Sequence, residues 1–243
     1  VLLGNVVSND NSNINDKDNI HIENSVQLTS LEIMKEMDID VKRVNIYIKY
    51  DDNFGVSTTN KYIKGRIQDN KLYIYEVDHS VIEKYEGDLY IFIPFGYIFD
   101  EVDIDNNAGR VEINGLKTGE LSLELGAGKV NMSNIEVYEK MDINGGAGSI
   151  KIDNASINNL DMDMGAGKTQ ISGYLKGNNK IDAGVGALIL ELFDDDYKIS
   201  VDKGIGKATY NGQDINSNEV YGNGYNNVII DGGIGSIKIS TKR

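Results

Sequence analysis

Apolar and polar residues alternate along much of this chain, and the alternation repeats around a short glycine unit. Positions three before the unit, and two and four after it, are apolar in nearly every copy. The copies occupy 107–109 (a degenerate Asn-Ala-Gly), 126–128, 146–148, 165–167, 184–186, 204–206 and 233–235. Alternation on both sides of the unit predicts two short β-strands per copy, each with one buried face.

The spacing of the copies predicts how these strands are arranged. Successive second glycines lie 19, 20, 19, 19, 20 and 29 residues apart, so one loop is inserted before the last copy. We predict an all-β, single-domain parallel β-solenoid of about seven 19–20-residue coils, each stacked on the next in chain order, because stacking brings like residues into contact. The alternative is an antiparallel meander or sandwich, with turns at Asn114-Gly115, Ser172-Gly173 and Asn211-Gly212.

The alternation predicts a corner within each glycine unit. The middle residue is Ala, Val or Ile, and we expect it to continue the buried phase of the preceding strand. The phase would then slip by one residue at the second glycine, whose backbone tolerates the angles of a corner.

Regions outside the repeats complete one continuous domain. Residues 1–20 are expected to form a disordered tail or linker, because they are rich in Asn, Asp and Ser. Residues 21–100 predict an N-terminal β cap and first irregular coils, with a hairpin turn at Asp69-Asn70, and 101–243 form the array. The insertion 211–227 is expected to fold over the open end of the array, unless two chains associate there end to end.

The amino-acid composition argues against several classes of function. The 24 basic and 38 acidic residues give a net charge of −14, which argues against nucleic-acid binding. The chain has no cysteine, so it has no disulfide, thiolate nucleophile or zinc–thiolate site, and we expect no cofactor. No apolar run is long enough for a transmembrane segment. Because the chain starts at Val1 rather than methionine, we expect a longer precursor with an export signal or anchor upstream.

Two charged ladders follow from aligning the copies, and both are expected to point outward beside the same corner. The acidic ladder lies two residues before the glycine unit and comprises Asp105, Glu124, Asp163, Asp182, Asp202 and Asp231, with Asn144 in the remaining copy. The basic ladder follows the second glycine and comprises Arg110, Lys129, Lys168 and Lys207. The acidic ladder is either a stripe for divalent cations or a basic partner, or a solvated edge neutralised by the basic ladder.

Other candidate sites are less regular. Asp194, Asp195 and Asp196 form a carboxylate cluster that is either a metal site or a solvated turn. The insertion carries a possible binding loop with Tyr210, Tyr221 and Tyr225, whose rings and neighbouring amides suit a sugar or protein surface and suit equally a packed cap. His21 and His79 lack a paired nucleophile, so we expect them on the surface. No copy has the aspartate of calcium-binding glycine repeats.

A family resemblance rests on three segments. These are Leu89-Tyr90-Ile91-Phe92-Ile93-Pro94, the glycine ladder, and the closing Tyr221-Gly222-Asn223-Gly224 followed by Gly232-Gly233-Ile234-Gly235. Together they resemble the bacterial putative-adhesin family of β-strand-repeat domains, which are of unknown function and associated with the cell envelope. The resemblance implies a β-solenoid, often beside a membrane anchor, and carries over no catalytic residue.

The sequence therefore favours a non-enzymatic scaffold or binding module of the cell envelope or extracellular surface. Its flat faces would present the ladders to a protein or polysaccharide partner. The alternatives are a glycan-active β-helix enzyme, with carboxylates about 5–10 Å apart in a groove, and a regulatory module of an envelope-stress system.

Overall fold

The computed structural model describes residues 19–20, 26–27, 34–77 and 87–242, and in them one sheet of seventeen strands. The strands are β1 (Asn19–Ile20), β2 (Val26–Gln27), β3 (Glu36–Asp51), β4 (Gly55–Thr58), β5 (Ile63–Gln68), β6 (Lys71–Glu76), β7 (Gly87–Pro94), β8 (Phe99–Asn158), β9 (Leu160–Lys176), β10 (Asn178–Asp182), β11 (Val185–Leu192), β12 (Tyr197–Asp202), β13 (Ile205–Tyr210), β14 (Gln213–Asp214), β15 (Glu219–Tyr221), β16 (Asn226–Asp231) and β17 (Ile234–Thr241).

The alternation of the sequence becomes the inside and outside of this sheet. The apolar positions on either side of the glycine units are buried, as at Ile104, Val111 and Ile113, and they join a single hydrophobic core. The residues between them face outward, so each strand presents one buried and one solvated side. No helix long and apolar enough to span a membrane is found in the described part of the chain.

Equivalent residues of neighbouring repeats pair in parallel, as the spacing predicted. Ile143 pairs with Met162, and Met162 in turn with Ile181. At the corners the repeats approach backbone to backbone: a Cβ on Gly167 would lie 1.7 Å from the carbonyl oxygen of Gly148. The all-β class and a mostly parallel sheet are confirmed, and the antiparallel meander is excluded because its repeats would run in opposite directions.

The last repeat does not lie at the end of the stack. β17 is flanked by β11 on one side and by β13 on the other, and β16 lies in the same way between β10 and β12. Sequential stacking was therefore wrong at this point. The glycine-unit repeats have equivalent buried positions and corner glycines, so the apolar pattern does not distinguish one order from another.

Two segments make it sterically possible for the last repeat to lie between two earlier levels. Residues 193–196 carry the chain past one level, and the closing motif returns beneath them, where Gly224 N donates to Tyr197 O at 3.0 Å. A Cβ on Gly224 would lie 2.0 Å from the carbonyl carbon of Asp196. Glycine is thus required at position 224, where the returning chain passes the backbone of Asp196.

The insertion 211–227 pairs with the outermost repeat. β14 pairs antiparallel with β13, and β15 pairs antiparallel with β12. These short strands pair with the repeat of β12 and β13, and not with the last repeat, over which the sequence analysis expected the insertion to fold.

The other end of the stack has the same arrangement. β3 lies between β6 and β7 on one side and β8 on the other, all in parallel, while β5 and β4 pair antiparallel with the outer edges of β6 and β7. Asp69 and Asn70 form the predicted hairpin turn between β5 and β6, with positive φ angles of 52° and 63°. Residues 95–98 carry the chain past β3, and the Tyr97 hydroxyl there donates to Met34 O.

The corner differs from the prediction. The middle residues Ala127, Ala147, Ala166, Val185, Ile205 and Ile234 are exposed rather than buried. In the first copy the buried phase ends at Asn106 and resumes at Val111, so the residues between them turn outward together. The corner is therefore a four-residue bend, and the prediction of a single-residue slip was wrong.

Candidate functional site

The acidic ladder lies on the sheet face formed by the strands that precede the corners. Asp182 pairs with Asp163 on one side and with Asp231 on the other, and Asp231 pairs with Asp202. At the opposite end the ladder gains Asp40 of β3, which pairs with Asp105. Glu124, Asp163, Asp202 and Asp231 are exposed, whereas Asp105 and Asp182 are half-buried.

Sequence reasoning missed Asp40 because β3 has no glycine unit. A usable signal was present in the apolar spacing: Ile39, Ile46 and Ile48 repeat the separations of Ile104, Val111 and Ile113. The apolar period, read without the glycines, would have found this repeat.

Two further rows extend the charge across the same face. They run beside the acidic ladder two and four residues earlier in each strand, through Asp103 and Glu101. We call the three rows together the acidic face. It carries fourteen carboxylates against Lys71, Lys140, Lys180 and Lys198; the carboxylates belong to Glu36, Asp38, Asp40, Glu101, Asp103, Asp105, Glu120, Glu124, Asp142, Asp161, Asp163, Asp182, Asp202 and Asp231.

At the β3 end, one ammonium group is shared by several carboxylates. Lys71 Nζ lies 3.5 Å from Glu36, 3.6 Å from Asp38 and 3.6 Å from Asp103. Burial alone would lower the pKa of Lys71, but these neighbours outweigh it and raise the pKa. A hydrogen bond with Asp103, followed by burial, raises the pKa of Glu101. The carboxylates here exceed the positive charge available to them.

The acidic ladder shows the same excess where it is half-buried. Burial, followed by repulsion from Glu124 and Asp40, raises the pKa of Asp105. Neighbouring carboxylates of a ladder about 5 Å apart repel by about 0.8 kcal/mol in a water-like dielectric. Folding holds them together because each repeat also buries several apolar side chains, each contributing about 1.5–3 kcal/mol.

A shallow groove of about 390 Å³ runs between the rows of the acidic face. Glu124, Asp142, Asp161 and Asp163 line it, and Lys140 Nζ lies 2.8 Å from Asp142. Its lining comes from three successive levels of the stack, so it would suit an extended chain with positive charges.

The basic ladder lies across the corner, on the strands that follow it. Arg110 Nη1 donates to Glu112 at 3.0 Å, and Lys207 Nζ pairs with Asp214 at 2.9 Å. Lys129 and Lys168 are exposed between these two ends. Both predicted ladders therefore flank the same corner, separated by its exposed middle residues.

The carboxylates of Asp194 and Asp196 bind backbone amides. Asp194 Oδ1 accepts from Asp195 N at 2.6 Å and from Asp196 N at 3.1 Å, and Asp196 Oδ1 accepts from Tyr225 N at 3.0 Å. These bonds hold the segment in which the chain passes one level. No cluster of three or more His, Asp or Glu side chains arranged to hold a metal ion is found among the described residues.

The three tyrosines of the insertion do not form one site. The Tyr210 and Tyr221 rings lie 5.8 Å apart beside the core, and the Tyr221 hydroxyl donates to Glu219 at 2.8 Å. Tyr225 is 91% exposed and takes no part in this ring pair. The packed pair belongs to the structure that covers the outer repeat.

A second groove, of about 490 Å³, lies beyond the corner near the β3 end. Its lining includes Glu112, Asn131 and the rings of Tyr47 and Tyr90, which stack with centroids 4.9 Å apart. The sequence analysis did not predict this groove. His79 and His21 lie outside the described residues.

Fold and ladders together define an all-β repeat protein whose parallel strands display columns of like side chains. The family model described as Toastrack DUF4097 matches residues 15–209, so the chain belongs to this family. The matched segment ends before the inserted last repeat.

Several solved structures are similar. One is a putative cell adhesion protein from Clostridium sporogenes, with 16% identity and a TM-score of 0.38 over 90% of this chain and 98% of that one. Another is a putative adhesin from Bacteroides fragilis, with 15% identity and a TM-score of 0.37 over 88% and 95%. A third is a putative adhesin from Parabacteroides distasonis, with 13% identity and a TM-score of 0.41 over 89% and 94%. No curated protein matches the chain.

Proposed function

We propose that this chain is a non-enzymatic binding module of the cell envelope or extracellular surface, built as a capped β-solenoid. Its acidic face binds an extended cationic partner, a basic protein segment or a polycationic polymer. The observation that carries this proposal is the concentration of fourteen carboxylates and four lysines on one regular sheet face. A face of one sign attracts partners of the opposite sign and selects against like-charged ones.

The geometry supports an extended partner rather than a small molecule. The carboxylates recur every ~4.8 Å along the stack, so a chain lying along the groove meets one after another. They line an open face and not a deep cleft, an arrangement suited to binding a polymer along its length. Raised pKa values at Asp105 and Glu101 mark charge that a cationic partner would neutralise.

The test is binding of a fluorescent deca-lysine peptide, measured by fluorescence anisotropy at several salt concentrations. Asp182→Asn/Asp231→Asn removes two charges from the acidic ladder. Glu112→Gln/Glu191→Gln removes the same number from the strands beyond the corner, as a matched control. We expect the acidic-face variant to bind about fivefold more weakly, consistent with about 0.5 kcal/mol per exposed pair, and the control to bind almost as the parent does.

Equal weakening by both variants would mean that only net charge matters, and would contradict a dedicated face. Calorimetric titration with calcium tests the metal-ion interpretation of the same ladder. We expect no heat of binding at millimolar calcium, because the described carboxylates lie in rows and not in a coordinating cluster.

A further inference from the structure

Three large apolar residues occupy exposed corner positions next to one another. Val185 pairs with Ile234, and Ile234 with Ile205, on three successive levels of the stack. They are 51%, 55% and 73% exposed, respectively. Ala166, Ala147 and Ala127 continue the line toward the other end. We call these six residues the corner crest. Folding of the single chain gains little from β-branched residues there, because their side chains remain in water.

The charges on either side of the crest are opposite in sign at most levels. Of the seven glycine-unit repeats, four carry both an acid before the crest and a base after it; these pairs are Asp105 with Arg110, Glu124 with Lys129, Asp163 with Lys168, and Asp202 with Lys207. One repeat is neutral on both sides, with Asn144 and Ser149. In the other two repeats, an acid before the crest is followed by an uncharged residue after it; these pairs are Asp182 with Ala187 and Asp231 with Ser236.

This pattern is complementary to a second copy of itself in one orientation. A twofold axis parallel to the stack places each crest residue opposite its own copy at the same level. The same rotation exchanges the two sides, so each acid of one copy faces the base of that level in the other. An axis across the stack would instead place acids against acids, which is unfavourable.

We propose that the corner crest is a self-association surface, on which two copies of this chain pack side by side with their stacks parallel. The apolar core of the contact is Val185, Ile234 and Ile205, and the flanking acids and bases form the rim. This contact uses the acidic ladder as one rim and leaves the other two rows of the acidic face open, so most of the surface proposed for binding above stays accessible.

The size of the crest sets the expected strength. The contact strip runs along the crest and its flanking charges over all seven glycine-unit levels, which lie about 4.8 Å apart and span roughly 30 Å. A strip about 15–20 Å wide then covers on the order of 500 Å² per copy. Stable complexes bury about 800 Å² per partner, so this dimer belongs to the weak class and forms in the micromolar range or above.

The first test is sedimentation velocity of the full chain from about 1 to 500 μM, a range chosen for a weak dimer. Ile234→Gln removes the middle one of the three large apolar side chains of the crest. Ile229→Gln is the matched control, because Ile229 is also 55% exposed but lies on the acidic face. We expect Ile234→Gln to raise the dimer dissociation constant at least about tenfold, as for loss of a central apolar contact in both copies, and Ile229→Gln to leave it within about twofold.

The second test separates orientation from simple stickiness. Lys168→Glu places two acids opposite each other on both sides of the proposed dimer, and we expect it to weaken association about tenfold. Asp163→Lys/Lys168→Glu restores an acid opposite a base and is expected to regain dimerisation to within about threefold. Both residues are exposed, so a fold defect is not expected.

Three results would overturn the proposal. A chain that stays monomeric throughout the concentration range has no such contact. Equal effects of Ile234→Gln and Ile229→Gln would show general hydrophobic association. Failure of the charge exchange to rescue Lys168→Glu would exclude the parallel orientation.

Discussion

At the scale of single residues, the corner glycines allow the repeats to stack closely. Gly167 has a φ of +144°, and the Gly148 carbonyl fills the space where its side chain would lie. Residues that carry a side chain rarely adopt this backbone conformation, and the space beside Gly167 could not hold a Cβ atom. The glycine period is therefore a packing requirement of the stack.

We predict that Gly167→Ala lowers the free energy of unfolding by about 3 kcal/mol or more, through strain and overpacking against backbone. Gly212→Ala is the control, because Gly212 has a similarly left-handed φ of +82° but no atom within 4 Å of the added Cβ. It should cost only about 1–2 kcal/mol. Urea denaturation of both variants measures the difference, and equal costs would contradict a steric role for the corner.

The acidic ladder predicts a pH dependence at Asp105. Its raised pKa means that ionised Asp105 disfavours the folded state at neutral pH. Asp105→Asn should therefore stabilise the protein at pH 7, by less than about 1 kcal/mol. The gain should shrink as the pH falls and vanish below the ordinary carboxyl range, near pH 4, where both side chains are neutral.

Thermal unfolding of both proteins between pH 3 and 8 checks this expectation. Asp202→Asn is the comparison, because Asp202 is an exposed member of the same ladder. A gain at Asp105 that persists unchanged at low pH would show that its charge is not the cause.

At the scale of elements, two of the three segments on which the family resemblance rests lead into the crossings of the chain. Leu89–Pro94 leads into residues 95–98, which pass the inserted β3, and the closing motif leads the chain into the slot between β10–β11 and β12–β13. At both ends the terminal repeat lies inside the stack and its chain neighbour lies outside. Both segments therefore lead the chain past a level that another repeat occupies.

We predict that Gly224→Ala impairs insertion of the last repeat, because its Cβ would meet the backbone of Asp196. Hydrogen exchange should then accelerate in β16, β17, β12 and β13, while β8 and β9 retain their protection. Exchange rates measured by mass spectrometry report each segment separately. Uniform acceleration along the chain would contradict a local role, and Gly212→Ala again serves as the control.

The strands and their parallel pairing followed from the sequence because alternation and a fixed spacing depend only on local pattern. The order of levels did not, since Ile181, Val201 and Ile230 are interchangeable as buried residues of equivalent strands. The exposed crest was also missed, because Val185 and Ile234 look like core residues until the four-residue corner is seen. The acidic ladder was predicted residue by residue, but Asp40 and the two neighbouring rows required the register.

At the scale of the whole molecule, short antiparallel strands pair with the outer edges of both terminal levels. Paired edges are poor templates for addition of further strands, so contacts through side-chain surfaces are favoured over end-to-end growth. Of those surfaces, the acidic face accounts for most of the net charge of −14, and the corner crest is the apolar line along its border.

The order of levels underlies both surfaces, and paired cysteines test it directly, because the chain has no cysteine of its own. Ala187 pairs with Ser236, whereas Lys207 lies one level further away, beyond Ser236. Disulfides need Cα atoms about 4.4–6.8 Å apart. Upon oxidation, Ala187→Cys/Ser236→Cys should form an intramolecular crosslink and Ala187→Cys/Lys207→Cys should not. Crosslinking of the second pair but not the first would mean that the repeats stack in chain order, and would contradict this account.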